Sequence, residues 1–338
     1  MKTKLILTAT LFCVTLCVPL SLFSQDFEMN GTVLVKYNGS AANVTIPAGV
    51  TAIGDEAFRN NGYVISVTIP EGVISIGYNA FSTCRNLTSI IVDTRNSAYS
   101  SVDGVLFNKD KTILITYPEA RGGVYTIPTG VITIGNYAFT NGKLTRVIIQ
   151  EGVISIGDSA FFNCYGLLLI TIPSSVTSIG DSAFDLCTEL YSITVDTRNS
   201  VYSSVDGILF NKNRTILIKY SGGKLETTYT IPAGVTSIGK SAFQSCYNIT
   251  SVAIPEGVIS IGNGAFWHCR NLESVTIPEG VISIENYAFA HCNKLINVTI
   301  PSSITSIGLG AFGMCNLPTV VSEDIRKRFG GDPFYSGD

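Results

Sequence analysis

Charge is scarce in this chain. Asp, Glu, Lys and Arg make up 14% of its 338 residues, against about a quarter of an ordinary globular protein. Histidine occurs twice and tryptophan once. A surface this poor in Lys and Arg excludes nucleic acid as a partner, and it lacks the basic helix that would hold anionic lipid. Two histidines leave little for a Ser–His triad, and no Gly-x-Ser-x-Gly elbow occurs. Long apolar runs are also missing, with one exception. Leu5 to Val18 follows Lys2 and Lys4, is broken by Pro19 and leads to Leu22-Phe23-Ser24. That pattern predicts a signal peptide over 1–24 with cleavage near Ser24, too short for a membrane span. Neither Cys13 nor Cys17 has the setting of a lipid-attachment signal. The expectation is therefore an exported, soluble chain beginning at Gln25. Without Lys2 and Lys4 it carries 20 basic against 25 acidic residues.

What the sequence has instead is repetition. An Ile-Pro pair recurs at Ile46-Pro47, Ile69-Pro70, Ile127-Pro128, Ile172-Pro173, Ile231-Pro232, Ile254-Pro255, Ile277-Pro278 and Ile300-Pro301. Degenerate copies stand at Val92-Asp93, Ile149-Gln150 and Val195-Asp196. These eleven copies are mostly 22 or 23 residues apart. In one full unit, Val275-Thr276-Ile277 alternates apolar and polar β-branched residues and reads as a strand ended by Pro278. Glu279-Gly280 makes a corner, and Val281-Ile282-Ser283-Ile284 is a second short apolar edge. The glycine that follows this edge elsewhere (Gly54, Gly77, Gly157, Gly239) suggests a turn with positive φ. Ala288-Phe289 and Cys292 then fold inward as roughly one helical turn. A single unit cannot bury its apolar edge, whereas stacked units share a continuous core. The predicted fold is thus a mainly β repeat solenoid over 46–317, about 4.8 Å per coil.

Two longer units interrupt the period, over 93–126 and 196–230. They open with Asp93-Thr94-Arg95-Asn96-Ser97 and Asp196-Thr197-Arg198-Asn199-Ser200, 103 residues apart. Each continues into a predicted β-hairpin, with Asn108-Lys109-Asp110-Lys111 and Asn211-Lys212-Asn213-Arg214 at the tips. The spacing suggests growth by duplication of a block of that size. Leu34-Val35-Lys36-Tyr37 is similar to Leu217-Ile218-Lys219-Tyr220, so 25–45 is read as an N-terminal cap built from half of the same hairpin. Ser322-Glu323-Asp324 followed by Arg326, Lys327, Arg328 and Gly330 has helix start and stop chemistry, which makes 318–338 a capping helix and tail.

With Ile-Pro, Val-x-Ser-Ile-Gly and Ala-Phe-x-x-Cys at this spacing, the chain resembles the BspA-like leucine-rich-repeat surface proteins. The resemblance runs from about Val33 to Leu317, and the inserts are similar to that family's longer units. It implies a bacterial secreted or surface adhesin that binds host matrix proteins or other cells, and it carries no catalytic residue across. Local departures are Glu285 in place of the turn glycine, and Asn61 and Gly142 in place of the cysteine.

Seven cysteines share one repeat position: Cys84, Cys164, Cys187, Cys246, Cys269, Cys292 and Cys315. Stacked in one column with parallel side chains, they fit disulfide geometry poorly and are read as buried small hydrophobes. His268 and His291 precede two of them and are read as stacked surface histidines, not a zinc site. Gly308-x-Gly310-x-x-Gly313 has the letters of a dinucleotide fingerprint without its strand–helix setting. Carboxylates such as Asp158, Asp181 and Glu71 recur on turns, where solvation accounts for them, and no cleft pairs them. The expectation is no enzyme, no cofactor and no metal.

The outward strand positions carry more information. Thr68, Thr171, Thr194, Thr276 and Thr299 form one row, with Ser66, Ser89, Ser192, Ser251 and Ser274 beside it. The rows break at Ile91, Ile148, Leu169, Arg146 and Tyr191, predicted to form one apolar patch that contacts a protein partner from a cell surface or extracellular matrix. Lys109, Lys111, Lys212 and Arg214 at the hairpin tips are expected to steer an acidic partner. A carbohydrate-binding module is the alternative, motivated by uncharged Ser, Thr and Asn and by fifteen tyrosines; a structural surface spacer is a third. Trp267, beside the core position Phe266, is expected to be unavailable to a sugar.

Overall fold

The protein is described here by a computed structural model covering residues 26–335; the predicted signal peptide lies outside these residues. The chain winds as a solenoid of about twelve coils. Each regular coil has a broad strand, a proline-terminated corner, a two-residue narrow strand and a tight-turn corner that carries Ala-Phe. Broad strands pair in parallel one repeat apart, as Val252 does with Val275 and Ala253 with Thr276. Narrow strands do the same, as in Ser260 with Ser283 and Ile261 with Ile284. Alternation sets the faces. Along Ser66–Ile69, Val67 and Ile69 are buried while Ser66 and Thr68 are half-exposed.

Two local expectations change. Gly54, Gly77, Gly157 and Gly239 do not have positive φ. They are required because the preceding coil is too close: a Cβ on Gly77 would lie 2.4 Å from the Asp55 nitrogen, and one on Gly239 2.9 Å from the Leu217 carbonyl oxygen. Positive φ is found at the Glu-Gly corner instead, for example +100° at Gly280. The Ala-Phe corner is also not a helical turn. The residue before Ala and the second residue after Phe are both left-handed, as with Tyr287 and His291 (φ +56° and +60°). This alternation lets every second N–H reach the next coil. Phe266 donates to Ala288 and His268 to Ala290.

The long units divide the stack. The apolar core falls into three clusters, and two of them meet at each long unit. Every cluster begins with a tyrosine that takes the place of the core phenylalanine. Tyr37 packs against Phe58, Tyr117 against Phe139 and Tyr220 against Phe243, with ring centres 5.0–5.3 Å apart. The insert itself is a three-stranded antiparallel meander, Tyr99–Val102, Val105–Asn108 and Ile113–Thr116, where two strands were expected. Its last strand joins the narrow sheet by parallel pairing with Thr133–Ile134. Tyr202–Val205, Ile208–Asn211 and Ile216–Lys219 repeat the arrangement. At the N-terminus, Phe27–Asn30 and Val33–Tyr37 form a hairpin in the same setting.

Each block ends with exposed backbone groups that need partners. The Asp103-Gly104 turn covers the broad edge, where Gly104 accepts from Ile90 N–H at 2.9 Å and Ser101 Oγ accepts from Val92 N–H at 3.0 Å. The Tyr99 hydroxyl accepts from Ile76 at the narrow edge. Asn96, fully buried, donates to the carbonyls of Pro70 and Val73 and accepts from Ala98 and Tyr99, so all four amide sites are used. Asn199 repeats each of these contacts. The last block is closed by the helix Thr319–Phe329, which buries Ile325 and begins three residues before the expected Ser322, directly after Pro318. Its Arg328 guanidinium donates to the Ile300 and Pro301 carbonyls.

Candidate functional site

The coil packs the inward residues of the broad strands into its core and leaves the alternate ones on an outward face. Parallel register stacks outward residues into columns. In the middle block, one column runs Val124, Arg146, Leu169, Ser192, and its neighbour runs Thr126, Ile148, Thr171, Thr194. Val124 is 61% and Leu169 42% exposed, Ile148 is half-buried and Arg146 exposed. Leu168 and Tyr191, both exposed, are linked by a backbone hydrogen bond at the entry to these strands. The structure thus gathers Arg146, Ile148, Leu169 and Tyr191 on one face, and Lys224 lies over the Tyr191 ring at 5.2 Å. Val124 and Leu168 belong with them. They were legible as outward or edge positions of the repeat once the Ile127-Pro128 and Ile172-Pro173 copies were aligned.

Ile91 does not join this patch. It lies opposite Thr68 in a separate three-stranded sheet, Asn43–Thr45, Ser66–Ile69 and Ser89–Val92. The Asp103-Gly104 turn, bonded to Ile90, occupies the place where the next broad strand would pair. A one-repeat offset in sequence became a gap because the long unit inserts its own backbone there.

The hairpin tips also divide. Lys109 Nζ donates to the Asn96 carbonyl and, at 3.3 Å, to that of Thr94; Lys212 does the same to Asn199 and Thr197. These two ammonium groups brace the turns that begin the inserts. Lys111 and Arg214 are exposed, sit at the left-handed position of their turns, and have no ion pair among the described residues.

The cysteine column lies inside. Cys84, Cys164, Cys187, Cys269, Cys292 and Cys315 each donate their thiol to the phenylalanine carbonyl of the preceding coil at 2.9–3.1 Å, and all seven cysteines are free. Burial pushes the Cys84 thiol up to about 12. The His268 and His291 rings stack 4.3 Å apart and nearly parallel. Burial, His291 and Arg270 hold His268 below the ordinary histidine range. Among the described residues no three His, Cys, Asp or Glu side chains are grouped to hold a metal, and no helix is long and apolar enough to cross a membrane.

Coils closed by parallel ladders around a phenylalanine column define a leucine-rich-repeat solenoid. The chain belongs to the family of the BspA type leucine rich repeat region, whose profile matches six copies over residues 35–119, 124–216 and 220–337. The breaks between these segments fall at the two long units. The chain is similar to a leucine rich cell surface protein from Faecalibacterium prausnitzii, with 28% identity, 90% of this chain and 96% of that one covered, and a TM-score of 0.60. It shares its fold with the pneumococcal vaccine antigen PcpA, at 23% identity, 85% and 73% coverage and a TM-score of 0.60. No curated protein matches the chain.

Proposed function

We propose that the chain is an exported, surface-displayed binding protein without catalysis, which grips a partner protein through the broad sheet of its middle block. The observation that carries this reading is the patch of Val124, Arg146, Ile148 and Leu169, which shares its two columns with Thr126, Thr171, Ser192 and Thr194. Contiguous exposed apolar side chains around one cation suit a protein partner. The family, and a cell surface protein among its structural relatives, support display outside the cell. The test is binding to fibronectin, laminin and collagen and to intact host cells, with the parent and two double variants. Ile148→Ser with Leu169→Ser should speed dissociation, whereas Lys111→Glu with Arg214→Glu should slow association and flatten its salt dependence. A partner whose binding neither pair alters would refute the site.

A further inference from the structure

A second concavity lies on another side of the solenoid, along the Ala-Phe corners of the last two blocks. Two columns of the repeat face it: the residue just after each core phenylalanine, and the residue just before each alanine. In most coils these positions carry polar or bulky side chains, such as Glu56 and Arg59. Here they shrink to Ser182, Ser241 and Gly264 in one column and to Ala290 and Gly313 in the other, leaving a groove of about 510 Å³. Gly264 is left-handed (φ +58°), as are the serines and tyrosines at the same place in other coils, so it was free to be larger. A Cβ there would meet nothing closer than 3.7 Å.

The walls of the groove are aromatic. Trp267, the only tryptophan, stands one residue past the core position Phe266 and is half-buried in the wall of the groove. Tyr287 lies along the same groove, its ring packed over the backbone of Gly310, and Phe162 and Tyr335 line it further out. The polar groups are planar or already neutralised. Gln244 and Asp185 are more than nine-tenths buried. Gln244 places its amide nitrogen 2.7 and 3.1 Å from the Asp185 oxygens, so the two side chains hold each other in the groove wall. Lys219, 2.9 Å from Asp185, cancels that carboxylate's charge from behind. Asn263 and His291 complete the polar lining.

We propose that this groove binds a short oligosaccharide of neutral pyranose sugars. A pyranose ring has an apolar C–H face and a rim of hydroxyls. Aromatic walls accept the face, while amides and hydroxyls, which both donate and accept, match the rim. An anionic ligand would need a free cation, but no Lys or Arg lines the groove, and Lys219 beside it is spent on Asp185. A cationic ligand would need a free carboxylate, and Asp185 is paired. The volume falls within the range of small-ligand sites, which are mostly apolar with a few fixed polar groups. This site is separate from the broad-sheet patch, so either can fail without the other.

Because Trp267 is the sole tryptophan, its fluorescence reports on the groove alone. Titration with maltotetraose, cellotetraose, xylotetraose, mannotetraose and chitotetraose should give a saturable change with at least one of them, and none with an acidic glycan or an acidic peptide. Tyr287→Ala should weaken that binding at least 10-fold. Gly264→Tyr uses a residue that other coils already hold at this place, and it should abolish binding by filling the groove while thermal unfolding keeps its cooperativity. Ile148→Ser with Leu169→Ser should leave the titration unchanged. Absence of a response to every neutral oligosaccharide, or binding that survives both Gly264→Tyr and Tyr287→Ala, would overturn the assignment.

Discussion

The ammonium of Lys219 lies 2.9 Å from a carboxylate oxygen of Asp185, both nearly fully buried and 34 residues apart in sequence. The pair bridges the joint between the second and third blocks, and Lys219 also donates to the Ser241 carbonyl at 2.8 Å. In the first joint the corresponding residues, 103 earlier, are Thr116 and Ser82. The two joints therefore share a backbone and differ in chemistry. Removing one partner strands a buried charge, so Asp185→Ala should destabilise the chain by roughly 3–5 kcal/mol. Replacing both, as Lys219→Met with Asp185→Leu, should cost far less. Equal losses for the single and double variants in denaturant unfolding would contradict this account.

Glu119 sits in the first joint, where burial pushes its carboxyl up to about 7 against the opposing pull of Arg85 and Lys143. One of its oxygens has no hydrogen-bond partner. A raised acid favours folding while protonated, so its contribution is present below its ordinary value near 4.5 and is lost as pH rises through about 7. Glu119→Gln should hence raise stability above pH 7, on the order of 1–3 kcal/mol, and change little at pH 4. Unfolding midpoints measured at the two pH values decide the matter.

Asn96 and Asn199 each satisfy two carbonyls and two N–H groups inside a joint; at the end of the stack Arg328 satisfies carbonyls alone. Asn96→Ala should cost on the order of 1–3 kcal/mol for the groups left unpaired. Hydrogen exchange should accelerate first around residues 70–76 and 98–102. Uniform acceleration along the whole chain would mean that the blocks do not open separately.

Phe184 ends the stack of the middle block, 5.6 Å from Phe161. Phe184→Ala should cost roughly 3–5 kcal/mol, and the damage should appear in neighbouring coils before it spreads. A variant that melts like the parent would show that the site relaxes around the cavity.

Thiol counting in denaturant without reductant should find at least five reactive cysteines, and native protein should react far more slowly. With Cys84 raised from an ordinary value near 9 to about 12, folding is favoured by the protonated thiol. That contribution should fade as pH climbs from about 9 towards 12. One thiol or none in the denatured count would point to disulfides.

The period of the sequence by itself determined the solenoid, its inward residues and the buried cysteine column, because each coil meets only its neighbours and a 23-residue offset becomes a direct contact. It also located the long units and placed Arg146, Ile148, Leu169 and Tyr191 on outward or edge positions. Only the tertiary structure decided what happens where the period breaks. A local pattern cannot say that the Asp103-Gly104 turn takes the next strand's place and parts Ile91 from the patch, or that Lys109 and Lys212 turn back onto carbonyls. Nor could it show that Gly77 is needed for a neighbour's backbone and not for its own φ. Trp267 makes the same point: reading along the chain places it beside a core residue, whereas the left-handed corner turns it into the wall of a groove whose floor is set by small residues of its own and neighbouring coils.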